Sequence, residues 1–404
     1  MSLATIIDGA PLVVCLGPGG VGKTTLSAVL ALHQAAIGRR TLVLTIDPAR
    51  RLADALGVAG LTNEPAAITS FPHLARGGSL HALMLDPAAT FDHLIGLLVS
   101  DPERRRAMLA NRFYQHMSRS LAGMLEYMAV ERLHALVMTG EFDSIVLDTP
   151  PTSNALDFLE APERLGTFFN PKVTRWFMPA GKRNPGGLAS RLLGQAGSSA
   201  KALLSRIAGQ AFVSETVEFF GTFADILGGF QTRGLEVSRL LRDPRTVFLV
   251  VSTPDAQRLE EARAIDRRLA DAGVRARAFV VNRVDEPFLP APGEIPLAIE
   301  RATQLLGGDH ERVQVFMERL EELRRAHTGA ALDQGRIIED LRRHAEERPV
   351  VTAPRVPAGE SPRAALLALY LGLFVEDATR ADPTEATAVG GRAPNMPAAR
   401  GANA

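Results

Sequence analysis

Apolar runs of five to seven residues punctuate this chain, and between them the pattern shifts to the three-to-four-residue period of helices. Residues 12–16 (Leu-Val-Val-Cys-Leu), 41–46, 79–85, 144–148, 246–251, 278–282 and 350–356 read as strands. Such near-continuous hydrophobicity is the mark of parallel strands covered on both faces. Helical patterning is predicted over 24–37 (closed by Gly38), 49–56, most of 88–140, most of 154–243, 255–272, 310–347 and 362–374. Leu121, Met124, Leu125, Met128 and Leu136 fall near one helical face. Strands alternating with helices predict an α/β fold with a doubly wound, mostly parallel sheet.

The same pattern predicts one domain over 1–376. It carries helical insertions at about 87–140 and 157–243 and a helical segment at about 284–347, which opens on a Pro-rich break at 287–296. Residues 377–404 are Ala, Gly, Pro and Thr, the composition of a disordered tail. The 154–243 stretch holds Trp176, the sole tryptophan, and Phe168, Phe169, Phe177, Phe212, Phe219, Phe220, Phe223 and Phe230.

Composition narrows the function. The chain has 404 residues, 46% hydrophobic, with 45 basic and 45 acidic side chains. Zero net charge gives no global attraction to nucleic acid or an anionic membrane, and no nucleic-acid partner is expected. Cys15 is the single cysteine, which excludes an internal disulfide and a Cys-based zinc site within one chain. The first ten residues lack a signal-peptide pattern and no run reaches 18 apolar residues, so a soluble, cytoplasmic protein without a transmembrane segment is expected.

The candidate chemistry gathers at strand ends. Gly17-Pro18-Gly19-Gly20-Val21-Gly22-Lys23-Thr24 fits the G-x-x-x-x-G-K-[ST] phosphate loop at every position, between a strand and a helix, with Thr25 next in line. Glycines let backbone N–H groups turn toward a polyanion, and the helix N-terminus adds partial positive charge. Lys23 is the candidate for the β- and γ-phosphates, and Thr24 for a magnesium ion. Asp47 and Asp148 close two other apolar strands. An aspartate at the Asp148 position holds magnesium in phosphate-loop enzymes. Asp47 is a further candidate at the metal and for orienting the attacking water; its other reading is capping the helix over 49–56.

GGVGKTT at 19–25, TIDPARRLADALG at 45–57 and DTPPTSNALDFL at 148–159 resemble three motifs of the ArsA family of P-loop ATPases. That family includes the ATPase of the guided-entry pathway, which delivers tail-anchored membrane proteins. The likeness is carried by residues 11–57 and 142–165 and extends through 246–283. It implies a P-loop NTPase fold of SIMIBI/ArsA-like type, ATP and Mg2+ as ligands, and a switch in which ATP hydrolysis opens and closes a dimer. By the same likeness Asp47 is the hydrolytic aspartate and Asp148 with Thr149, Pro150, Pro151 and Thr152 begins the second switch. Asn282 corresponds to the adenine-recognising asparagine, and residues 354–357, ending at Pro357, to an adenine-side wall. The resemblance also implies a groove for an apolar helical client, for which Met117, Met124, Met128, Phe219 and Phe223 are the candidate lining; stripes of that kind equally suit a core.

Three departures from the family pattern stand out. Pro18 replaces a lysine that in the family crosses to the partner's phosphates, and a cation supplied in trans is worth about 10³–10⁵ in rate, roughly 4–7 kcal/mol. Slow basal hydrolysis is expected, or replacement of that cation by Arg50 or Arg51, which otherwise read as a solvated helix start. No C-x-x-C pair exists for a zinc clasp, and no thiolate cluster for trivalent arsenic. One phosphate loop per chain implies a homodimer, or a heterodimer with a related ATPase. A ParA- or MinD-like positioning ATPase is the alternative, but 362–374 carries only Arg363 and reads as buried, and Arg104-Arg105-Arg106 with Arg112 is the one compact basic run. An anion- or metal-related ATPase subunit is a further alternative, which nine scattered histidines support little.

Overall fold

The computed structural model describes residues 2–47, 49–71, 77–112, 114–115, 124–150, 219, 229, 232–288, 294–357 and 359–375. A short helix α1 (Leu3–Ile7) leads into β1 (Leu12–Leu16), α2 (Lys23–Ala36), β2 (Arg40–Thr45), α3 (Arg51–Leu56), β3 (Ala66–Ala67) and β4 (Ser79–Met84). Helices α4 (Pro87–Leu98), α5 (Pro102–Ala110) and α6 (Met124–Thr139) precede β5 (Ser144–Asp148). The chain then gives β6 (Thr246–Ser252), α7 (Ala256–Asp271), β7 (Ala278–Val284), α8 (Glu294–Leu305), α9 (His310–Ala345), β8 (Val350–Pro354) and α10 (Pro362–Phe374).

The strands form one sheet in the order β3-β4-β2-β5-β1-β6-β7-β8. Every pairing is parallel except that of the two-residue edge strand β3 with β4. This is the α/β architecture with a mostly parallel sheet that the alternating pattern predicts. The apolar runs divide residue by residue between two cores, as a period of two requires. Val13, Cys15, Val43, Val146, Leu249 and Val280 face α1, α2, α3 and α10. Leu12, Val14, Leu44, Leu147, Phe248 and Phe279 face α6, α7 and α9.

Several boundaries differ from the predicted ones for physical reasons. The helical stretch after β4 is broken where Asp86 and Asp101 cap new helices: Asp86 accepts from the Ala89 amide at 3.0 Å and Asp101 from the Glu103 amide at 2.8 Å, each with proline at the first helical position. Helix α8 opens inside the Pro-rich break, where Pro296 sits in the first turn and removes no helical hydrogen bond. Helix α10 is not buried throughout. Leu366, Leu369 and Leu373 enter the core, while Leu367 and Leu371 are exposed. The predicted tail and nearly all of the aromatic-rich 154–231 stretch lie outside the described residues.

Helix α10 docks on α2, the helix that follows the phosphate loop. The His33 ring stacks on Phe374, with centroids 3.9 Å apart and planes 10° from parallel. Burial pushes the His33 pKa down to about 4, against a small opposing pull from Asp8, and its Nδ1 has no hydrogen-bond partner. The imidazole is therefore neutral in the fold and charges more readily in the unfolded chain. The unfolded state binds the extra proton between about pH 6.5 and 4, so stability must fall as pH falls through that window. Urea titrations at pH 7 and pH 5 are expected to show this loss, and His33→Phe to reduce it.

Candidate functional site

The sheet order sets β1 between β5 and β6 and β2 on the far side of β5, so the carboxyl ends of β1, β2 and β5 lie side by side. Cys15 and Thr45 are the register partners of Asp148 on either flank. Ligand groups of open α/β sheets collect at such strand ends. Three predicted residues meet here: Lys23 at the first position of α2, Asp47 just past β2, and Asp148 at the tip of β5.

The loop between β1 and α2 follows the backbone that its glycines allow. Gly22 has φ 91°, and a Cβ there would stand 2.4 Å from Asn282 Nδ2. A Cβ on Gly17 would strike the Val251 carbonyl oxygen at 2.2 Å, so β1 and β6 can diverge around the loop only with glycine at this position. Gly20 is exposed, Gly19, Thr24 and Thr25 are half-buried, and Val21 is buried. The Lys23 ammonium is buried and donates to the carbonyls of Gly17 (2.8 Å) and Pro18 (2.9 Å). Burial lowers its pKa, and the negative charge of Asp148 is the leading influence in the other direction.

Asp148 is fully buried. One carboxylate oxygen, Oδ2, accepts from the Thr45 hydroxyl at 2.8 Å, while Oδ1 has no hydrogen-bond partner. Burial raises its pKa to about 6; the Thr45 and Thr24 hydroxyls and Lys23 pull it down, and Asp47 pushes it further up. An orphaned oxygen on a desolvated carboxylate, beside a threonine hydroxyl and below a phosphate loop, fits a divalent cation with oxygen ligands. The residues present thus suit Mg2+, with Thr24 and Asp148 as the protein's contribution. Asp47 Oδ1 accepts from the Ala49 amide at 3.0 Å, and Asp47's own amide donates to the Thr45 hydroxyl at 3.2 Å. It does not cap α3. That helix starts two residues later than the pattern suggested, with Arg50 at its cap and no capping side chain. The second oxygen, Oδ2, lies 3.5 Å from Arg51 Nη1.

Two residues stitch the site to its neighbours. Thr149 donates to the Cys15 carbonyl at 2.7 Å, fastening the chain after β5 to β1, and Pro150 is half-buried beside it. Asn282, at the end of β7, donates to the Val21 carbonyl at 2.9 Å and accepts from the Arg283 amide. Arg283 holds φ 62°, a left-handed conformation that turns the chain at this bond. Sequence reasoning overlooked Thr45, whose hydroxyl bridges the two aspartates; its signal was a polar residue ending an otherwise apolar strand.

The other predicted residues are described only by their burial, where they are described at all. Pro357 is exposed. Met128 and Phe219 are fully buried and present no surface. Pro151, Thr152, Met117, Phe223 and the Met124 side chain lie outside the described residues. Among the described residues, no three His, Cys, Asp or Glu side chains cluster as a metal cage, and no helix is long and apolar enough to cross a membrane.

A family model for the anion-transporting ATPases matches residues 11–288, a span running from β1 to just past β7 and containing Lys23, Thr45, Asp47, Asp148, Thr149 and Asn282. The chain belongs to the ArsA ATPase family. Among its ArsA relatives, a protein named ATPase GET3 from Malassezia globosa is 28% identical over 72% of this chain and 78% of its own length. ATPase GET3A of Arabidopsis thaliana is 27% identical over 66% and 65%. An uncharacterized protein of Streptomyces coelicolor is 29% identical over 71% and 66%. Helices α8, α9 and α10 and strand β8 lie beyond the ArsA match.

Two expectations follow from this geometry. Cys15 is fully buried in β1 and burial pushes its thiol up to about 12, so at pH 8 only about 10⁻⁴ of it is thiolate. Iodoacetamide should leave the folded protein unmodified, as read by intact mass, and label it once in denaturant. Asn282→Ala removes the donor held by Val21 and leaves a buried carbonyl unpaired, which costs about 1–3 kcal/mol. Lower thermal stability, together with weaker nucleotide binding, is the expected result.

Proposed function

We propose that this chain is a magnesium-dependent ATPase switch acting in the cytoplasm, where a lone thiol such as Cys15 stays reduced. The observation that carries the reading is the meeting of Lys23, Asp47 and Asp148 at three adjacent strand tips, with Asp148 Oδ1 left without a partner. In this reading the amides of the 17–24 loop receive the phosphates. Lys23 exchanges the two loop carbonyls for β- and γ-phosphate oxygens. Thr24 and Asp148 hold Mg2+, which when bound offsets phosphate charge. Asp47 orients a water molecule whose oxygen bonds to the γ-phosphorus. The bond from that phosphorus to the bridging oxygen breaks, and its electron pair leaves on ADP. The water's proton passes to Asp47 and then to solvent. Asn282, already tied to the loop, borders the adenine side together with the 354–357 segment.

Dimer opening and closing is the coupled motion we favour, because a single phosphate loop per chain leaves a two-site arrangement to a second chain, identical or related. The coupled ligand is an apolar protein helix. Support for that part is family membership and relatives named ATPase GET3. Met128 and Phe219 are sealed in the conformation described, so client binding would have to open that packing.

Isothermal titration with MgADP and MgATP tests the core of this reading. The wild type should bind both, and Lys23→Ala should bind neither measurably. Asp47→Asn should bind with little change and lose about 10²–10⁴ in turnover, the range of a general base. Normal turnover by Lys23→Ala defeats the reading. For the coupled ligand, a photocrosslinkable apolar helix of about 20 residues should be captured with ATP and not with ADP.

A further inference from the structure

Hydrolysis as described leaves the site short of positive charge. The transition state spreads negative charge over three equatorial oxygens of the transferred group. The loop offers it one cation, Lys23, and Pro18 offers neither a charge nor an amide donor. Building on the ATPase reading, we infer that Arg51, in the first turn of α3, supplies the second cation from the same chain, leaving Asp47 for the transferred phosphoryl group.

Three observations converge on Arg51. Its Nη1 stands 3.5 Å from Asp47 Oδ2, so the guanidinium is already at the hydrolytic carboxylate. That contact is long and single. Arg51 is 61% exposed at its side chain against 12% for Asp47, so most of its five donors face solvent and remain available. Finally, Asp47 is anchored without it: Oδ1 is held by the Ala49 amide and the main-chain amide by Thr45. Arg51 can therefore move to phosphate without freeing Asp47. Arg50, the other cation in this turn, is exposed and has no ion pair among the described residues.

A cation that acts in the transition state must be distinguished from one that merely steadies Asp47. The measurement is affinity for MgADP alone and for MgADP with aluminium fluoride, a mimic of the transferred phosphoryl group. Arg51→Ala should keep its MgADP affinity within about twofold of wild type, lose most of the tightening that fluoroaluminate gives, and lose about 10³ in kcat. Arg51→Lys should recover part of both. Introducing Arg51→Ala into Asp47→Asn should weaken fluoroaluminate binding further. If Arg51 acts only through Asp47, the second substitution adds nothing, and the inference is overturned. It is equally overturned if Arg51→Ala turns over ATP at the wild-type rate. If the wild type itself fails to bind MgADP, the ATPase reading falls first and this one with it. Binding and turnover by wild type with an indifferent Arg51 removes this inference alone.

Discussion

Asp148 carries a charge where the surroundings most oppose it. Its carboxyl is buried beneath the loop, flanked in register by Cys15 on one strand and Thr45 on the other, and burial is the main cause that raises its pKa to about 6. Two hydroxyls and one buried ammonium hold it back, and one oxygen remains unsatisfied. A buried charge with an unmet bond is costly unless something positive completes it. The same scarcity of partners explains why Lys23 turns onto the carbonyls of Gly17 and Pro18, since these are the acceptors that its own loop provides. On the ATPase reading, Mg2+ would complete Asp148 and a phosphate would complete Lys23. Each would relieve the group that awaits it.

Parallel pairing of β2, β5 and β1 is what makes this possible, and it was legible in the sequence for a simple reason. A strand covered on both faces must be apolar at every position, so a polar residue at its end stands out. Asp47 and Asp148 were found that way, and Gly17 by the loop motif that follows β1. Thr45 was not, because one threonine in an apolar run is equally a good strand former. The short elements were invisible for a related reason. Five-residue α1 and two-residue β3 are too brief for any periodicity to register, and α8 begins beside the prolines that announced a break. Met128 shows the limit of spacing. Its helical spacing was real, but spacing alone cannot separate a groove from a core, and Met128 is wholly buried.

The elements outside the ArsA match bear on the proposed switch nonetheless. β8 extends the sheet beside β7, whose Asn282 grips the phosphate loop, and α10 covers α2, the helix that the loop begins. Gly372 belongs to this packing, since a Cβ there would meet the Pro354 ring at 2.8 Å. A loop that rearranges around nucleotide can do so in two ways. It can move against β7 by exchanging the Asn282–Val21 bond, or it can carry α2 with it and drag α10 along. The first costs one hydrogen bond, roughly 0.5–1.5 kcal/mol. The second disturbs the close contacts of Leu366, Leu369 and Leu373 with the core, where losing even one such side chain's packing costs about 2–5 kcal/mol. On the proposed reading, magnitude therefore assigns the adjustable joint to the β7 end, with α2 and α10 as the fixed frame against which the loop would close.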